Sequence, residues 1–175
     1  MSVLLADSES LFAAHQQGVF RYLCRIVGQT ETARDLTQEV FLRVSRAPAP
    51  DADSAGRRAW VFKIARNLAL NYLRDTRHEA GTAELVESAE PAVQELGTAI
   101  RQALAALAEL DRDVFLLRET AGLSYDEIAG ACELSVEAVR ARLKRARQQL
   151  REALAGPIDV HRNRPVRCGH ARFED

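Results

Sequence analysis

Cysteine is scarce and poorly placed for crosslinking: Cys24, Cys132 and Cys168 are an odd, widely spaced set with no CxxC pair. With no apolar leader near Met1, this excludes a disulfide framework and points to a cytoplasmic protein. Long apolar runs are missing as well. A membrane span needs roughly 18 to 20 such residues, and arginine or glutamate interrupts every candidate, so no direct membrane contact is expected. No segment alternates apolar and polar residues with period two, which excludes a sheet. There is no GxxxxGKS or GxxxxGKT phosphate loop and no HExxH, and Ser45 and Ser54 lack activating neighbours. The chain offers no nucleophile, catalytic metal or cofactor site, and an enzyme is not expected.

What is present is helical material. At 47% hydrophobic and 28% charged, 175 residues suffice for one mid-sized or two small globular domains. From Glu9 to Arg46, apolar residues recur at helical spacing: Leu11, Phe12, Val19, Phe20, Leu23, Ile26 and Val27, then Ala33, Leu36, Val40, Phe41 and Val44. Gly28 ends the first of two helices, and Thr30 is placed to cap the second. Ala47 to Gly56, with two prolines, reads as a loop. A third helix is predicted from about Arg57 to Arg77, with Val61, Ile64, Ala65, Leu68, Tyr72 and Leu73 as its apolar stripe. The spacing thus predicts an all-α fold: a three-helix domain over 1–78, an acidic flexible linker over 79–92, a second helical domain over 93–155 and a tail over 156–175.

The second domain carries the strongest local signal. After a leading helix through Leu107 and another from Asp111 to Ala121, Ser124-Tyr125-Asp126-Glu127 forms a capping box that opens a short helix. A break over Ala131 to Leu134 follows, and Ser135 caps the next helix. Two helices joined by so short a turn have helix-turn-helix geometry.

Charge is distributed unevenly although the net value is only −1. Glu79 to Leu110 holds six acids against Arg101, whereas Ser135 to Arg147 holds five bases against Glu137. At 100 degrees per residue, Val139, Leu143, Ala146 and Leu150 share one side of the last helix. Ala141, Lys144, Arg145 and Gln148 lie opposite, flanked by Arg140 and Arg147. A helix with one packing side and one cationic side, set after a capped turn, suits a DNA groove. In the third helix, Lys63, Arg66, Asn67, Asn71 and other bases mix with Trp60, Phe62 and Tyr72, a composition suited to single-stranded or melted DNA. A ligand-responsive repressor would use the same helix-turn-helix, but would need a pocket domain or dimerisation helix that the first domain does not suggest.

Three runs resemble the extracytoplasmic-function sigma factors of bacterial RNA polymerase. Asp35-Leu36-Thr37-Gln38-Glu39-Val40-Phe41-Leu42 is similar to their polymerase-binding segment, and Trp60 to Asn67 to their promoter-melting helix. Val114 to Arg118, Gly122 to Ala129 and Ser135 to Arg147 together resemble their region 4. The resemblance implies that Asp35, Gln38, Glu39, Phe41 and Leu42 dock on core RNA polymerase. It implies that Lys63, Arg66, Asn67 and Asn71 contact the opened −10 element of promoter DNA, and that Arg140, Arg142, Lys144 and Arg145, with the capped N-terminus at Ser124, serve the −35 element. It also implies an anti-sigma factor as a partner. The chain departs from the family in its Pro- and Ala-rich loop before Trp60 and in the tail beyond region 4, where His161, Cys168 and His170 lack the pairing of a zinc site.

Overall fold

The computed structural model describes residues 2–47, 49–79 and 91–155, with side chains over 9–47, 49–76 and 97–155. Among these described residues seven helices follow one another: α1 (Ser2–Val27), α2 (Thr30–Arg46), α3 (Ser54–Glu79), α4 (Pro91–Ala106), α5 (Glu109–Glu119), α6 (Tyr125–Cys132) and α7 (Val136–Leu154). Among the described residues there is no strand, as the missing period-two pattern requires. The expected linker core, 80–90, and the tail with His161, Cys168 and His170 lie outside the described residues.

Helices α1, α2 and α3 pack on one another around Val19, Tyr22, Leu23, Val40, Val61, Phe62 and Ala65, all buried. Gly18 permits a close approach of α1 and α3, since a Cβ there would lie 3.3 Å from Phe62 Cζ. Gly28, at φ +76°, turns the chain out of α1, and its N–H donates to the Cys24 carbonyl. Two local expectations change. Thr30 lies inside α2, whose N-cap is Gln29 without a side-chain cap bond, because Gln29 supplies the extended backbone of the cap position. α3 starts at Ser54 rather than Arg57, because Asp53 Oδ1 accepts from the Gly56 N–H at 2.8 Å and so satisfies an orphan donor of the first turn.

Helices α4, α5 and α6 pack around α7, which buries Val139, Leu143, Ala146 and Leu150, the four residues of its predicted apolar side. Burying such aliphatic side chains is worth about 1.5–3 kcal/mol each for the larger ones, so this stripe fixes which side of α7 is left free. The two halves also touch: α3 lies against α6, and α1 against α5. Nothing local in the sequence announces that packing.

Candidate nucleic-acid interface

The short turn before α7 is built from caps. Ser124 Oγ accepts from the Glu127 N–H at 3.2 Å while Glu127 Oε2 accepts from the Ser124 N–H at 2.6 Å, the reciprocal pair predicted for a capping box. α6 runs through Cys132, so the break is shorter than the expected Ala131 to Leu134. Glu133 ends the helix in the left-handed region at φ 56°, with the Leu134 N–H returned to the Ala129 carbonyl. Ser135 Oγ then accepts from the Ala138 N–H at 3.2 Å and starts α7. Gly122, at φ +68°, supplies the turn between α5 and α6.

On α7 the predicted cations divide. Arg140 and Lys144, four residues apart and both exposed, share a face. Lys144 has no partner among the described residues, and Arg140 lies 5.9 Å from the centre of the Tyr125 ring. Arg142 and Arg145 turn instead toward α5. Arg142 Nη1 donates to Asp111 Oδ1 at 2.7 Å, and Arg145 donates through Nε to Oδ2 at 2.6 Å and through Nη2 to Oδ1 at 3.2 Å. Asp111 is 2% exposed. Burial would raise its pKa, but the hydrogen bonds from Arg145 and Arg142 outweigh that and hold the carboxyl below its usual range. Arg147 pairs with Glu119 at 2.8 Å, and Ser124 is exposed at the α6 N-terminus.

On α3, Asn67 and Asn71 are exposed, whereas Lys63 and Arg66 reach the other half of the molecule. Lys63 Nζ donates to Glu133 Oε1 at 2.7 Å and Arg66 Nε to Asp113 Oδ2 at 2.9 Å. Arg58, another of the bases read along the third helix, donates to the Ala121 carbonyl at 2.6 Å and lies 3.4 Å from both Glu127 oxygens. Asp113 is fully buried, and burial pushes its pKa up despite the nearby Arg66 and Arg112.

The α2 face is more open. Asp35, Gln38 and Leu42 are exposed, and Glu39 accepts from Arg43 Nε at 2.7 Å. Phe41 is not on that face: it is buried with Ala33, Val40 and Val44, and Phe12 of α1 stands edge-on to it at 4.9 Å. Phe12 takes its place at the surface, 43% exposed, with Leu42 at 47%. Its position in the helical repeat of α1 gave no sign of this, because the repeat assigns every apolar residue to the core.

A family model described as sigma-70 region 2 matches residues 11–79, and one described as sigma-70, region 4, matches residues 97–150. The chain is 32% identical over 158 residues to the ECF RNA polymerase sigma factor SigE of Mycolicibacterium smegmatis, covering 84% of this chain but only 61% of that factor. It is 30% identical to the RNA polymerase sigma-H factor of Pseudomonas aeruginosa, covering 82% of this chain and 84% of that one. Against the RNA polymerase sigma factor YlaC of Bacillus subtilis it is again 30% identical, covering 82% and 90%. In fold it resembles CnrH, solved in complex with the cytosolic domain of CnrY, with a TM-score of 0.68 at 23% identity over 89% of this chain and 97% of that one. The sigma factor RpoE of Bartonella quintana, solved with the anti-sigma factor NepR, gives 0.67 at 21% identity over 86% and 98%.

Proposed function

This chain belongs to the sigma-70 family, as a sigma factor of the extracytoplasmic-function type, and from that we propose how its faces divide the work of promoter-specific transcription initiation. The α2 face of Asp35, Gln38, Glu39 and Leu42, extended by Phe12, docks on core RNA polymerase. Lys63, Arg66, Asn67 and Asn71 of α3 hold the opened −10 element. α7 enters the major groove of the −35 element, with Arg140 and Lys144 outermost, Arg142 and Arg145 at its flank, and the α6 N-terminus at Ser124 set for a phosphate. The protein acts by recognition rather than by catalysis, in the cytoplasm, where polymerase and promoter are found. Among the described residues no helix is long and apolar enough to cross a membrane. An anti-sigma factor is the proposed regulator.

One observation carries this reading: the capped helix-turn-helix buries one side of α7 so completely that Arg140 and Lys144 are left on the side a groove can reach. Its test is co-purification of the chain with core polymerase, followed by sequencing of the DNA the holoenzyme retains. A single recurring motif at −35 and −10 spacing is expected, and retention of random sequence would defeat the reading. The docking face has its own prediction. Reversing charge at Asp35 and Glu39 together is expected to weaken core binding about ten-fold or more, about 1.4 kcal/mol. The helical circular-dichroism signal should hold, because these side chains are surface groups and the Glu39–Arg43 pair is exposed. Unaltered affinity in a core-binding titration would remove polymerase docking from α2.

A further inference from the structure

The arginines of α7 differ in which part of the guanidinium is still free. Arg142 and Arg145 have in-plane N–H groups engaged by Asp111, and Arg147 donates Nη2 to Glu119 at 2.8 Å. Arg140 is held another way: among the described residues its guanidinium makes no hydrogen bond, and its Cζ stands over the Tyr125 ring, 5.9 Å from the centre. A guanidinium that rests its face on an aromatic ring keeps its in-plane donors, and those are what a bidentate contact to guanine O6 and N7 uses.

Tyr125 is placed for this by elements other than α7. It opens α6 directly after Ser124, so the capping box fixes its backbone. Arg118 of α5 lies 5.2 Å from the same ring centre and donates Nη1 to the Leu123 carbonyl at 2.7 Å, which ties it to the turn between α5 and α6. The half-buried ring thus joins α5 to α7. Arg147 is near as well, its charge favoured first by Glu119 and further by the Tyr125 hydroxyl. Glu137, one turn before Arg140, is engaged first by its own backbone N–H and then by the Ser135 hydroxyl, not by a hydrogen bond from Arg140.

We infer that Tyr125 is a positioning residue for −35 recognition: its ring holds the Arg140 guanidinium by the face, ordering in advance the side chain whose edge selects a base. This rests on the −35 assignment of α7 made above. An exposed arginine has many rotamers, and fixing one on binding costs affinity. A ring that restrains it beforehand lowers that cost for the base whose acceptors meet the held edge, so the benefit appears as base preference. Lys144, a point charge with rotating donors and no partner among the described residues, contributes attraction without that choice.

The test uses holoenzyme assembled from the full chain and core polymerase, on a promoter duplex recovered with it and randomised across the −35 element, with bound and unbound DNA sequenced. Arg140→Ala should flatten preference at one base pair. Tyr125→Leu should lower preference at that same pair about two- to five-fold and leave the other positions as they were. Tyr125→Phe, which keeps the ring face, should retain the original preference. Tyr125→Leu added to Arg140→Ala should have no further effect at that pair. A uniform loss or no change in Tyr125→Leu would overturn the inference, and so would a Tyr125→Phe variant that behaves like Tyr125→Leu. If Arg140→Ala flattens no position while others keep their preference, Arg140 reads no base and the inference falls although α7 still docks. If the unaltered holoenzyme shows no preference anywhere in the element, the −35 assignment itself has failed. A measurement on the unaltered free chain is independent of how Tyr125 variants fold. In its ¹⁵N-correlated spectrum the Arg140 Nε–H, identified by its loss in Arg140→Ala, should lie upfield of ordinary exposed arginines because it sits over the ring; a position among them would equally overturn the inference.

Discussion

Phe62→Ala is expected to lower the unfolding free energy by about 3–5 kcal/mol, the usual range for emptying a buried aromatic site. Phe62 is 1% exposed, stands edge-on to Tyr22 at 6.2 Å, lies close to Gly18 and carries the Arg58 guanidinium 6.0 Å from its ring centre. Urea denaturation followed by circular dichroism measures the loss, and its shape carries a second result. If the halves unfold as one unit, the whole transition shifts; if they unfold separately, only the part owed to α1, α2 and α3 moves. A loss under about 1 kcal/mol would mean that Phe62 is not the keystone of the first half.

The second large effect lies at Asp111 and has opposite signs for stability and binding. Asp111→Ala removes a buried carboxylate that three hydrogen bonds tie to α7. Breaking a fully buried pair costs about 3–5 kcal/mol, but Arg142 and Arg145 are 28% and 53% exposed, so water recovers part of their solvation and about 1–3 kcal/mol is expected. Two guanidiniums are released at the same time beside the groove-facing side. Affinity for duplex DNA should therefore rise at low salt, and log K against log salt should steepen by up to about two contacts at about 0.9 each. A loss of stability with unchanged salt dependence would show that Arg142 and Arg145 serve only to join α5 to α7.

The same carboxylate sets a pH dependence. Because Asp111 is held below its usual pKa in the folded chain, the clamp contributes fully above about pH 4, where an unfolded aspartate is ionised, and its contribution is lost as pH falls through the lower folded value. Asp113 works in the other direction: its raised pKa means that burial penalises its charge at neutral pH, and the penalty is relieved as pH falls through that value. Urea midpoints measured from about pH 7 down to about pH 3 should therefore show relief at Asp113 before the clamp at Asp111 fails. Asp113→Asn should remove the first phase alone.

The second half was the more legible in sequence because its signals are local. A capping box, a serine cap and an apolar stripe on α7 each depend on residues within a few positions, and Ser124, Ser135, Val139, Leu143, Ala146 and Leu150 all fall where periodicity and capping place them. Counter-charges are not local. A stripe such as Lys63 and Arg66 reads the same whether its partner is a phosphate or a carboxylate many tens of residues away. Asp111 and Asp113, two residues apart on α5, point to α7 and to α3 respectively, which the helical repeat places on different sides without saying what meets them. Phe41 misled for a related reason: it adjoins the exposed Leu42 in a run that resembles a docking segment, yet its own angle on α2 turns it to the core.

Cys132, at the last turn of α6, is buried, and burial pushes its thiol pKa up to about 11. At neutral pH only about one molecule in ten thousand then carries the thiolate that alkylating agents and peroxides attack. The helix-turn-helix is thus chemically quiet toward oxidants while it stays folded. Exposure of that sulfur restores ordinary reactivity, so the labelling rate of Cys132 is a clock for transient loosening of α6, running in the native chain without any added probe site.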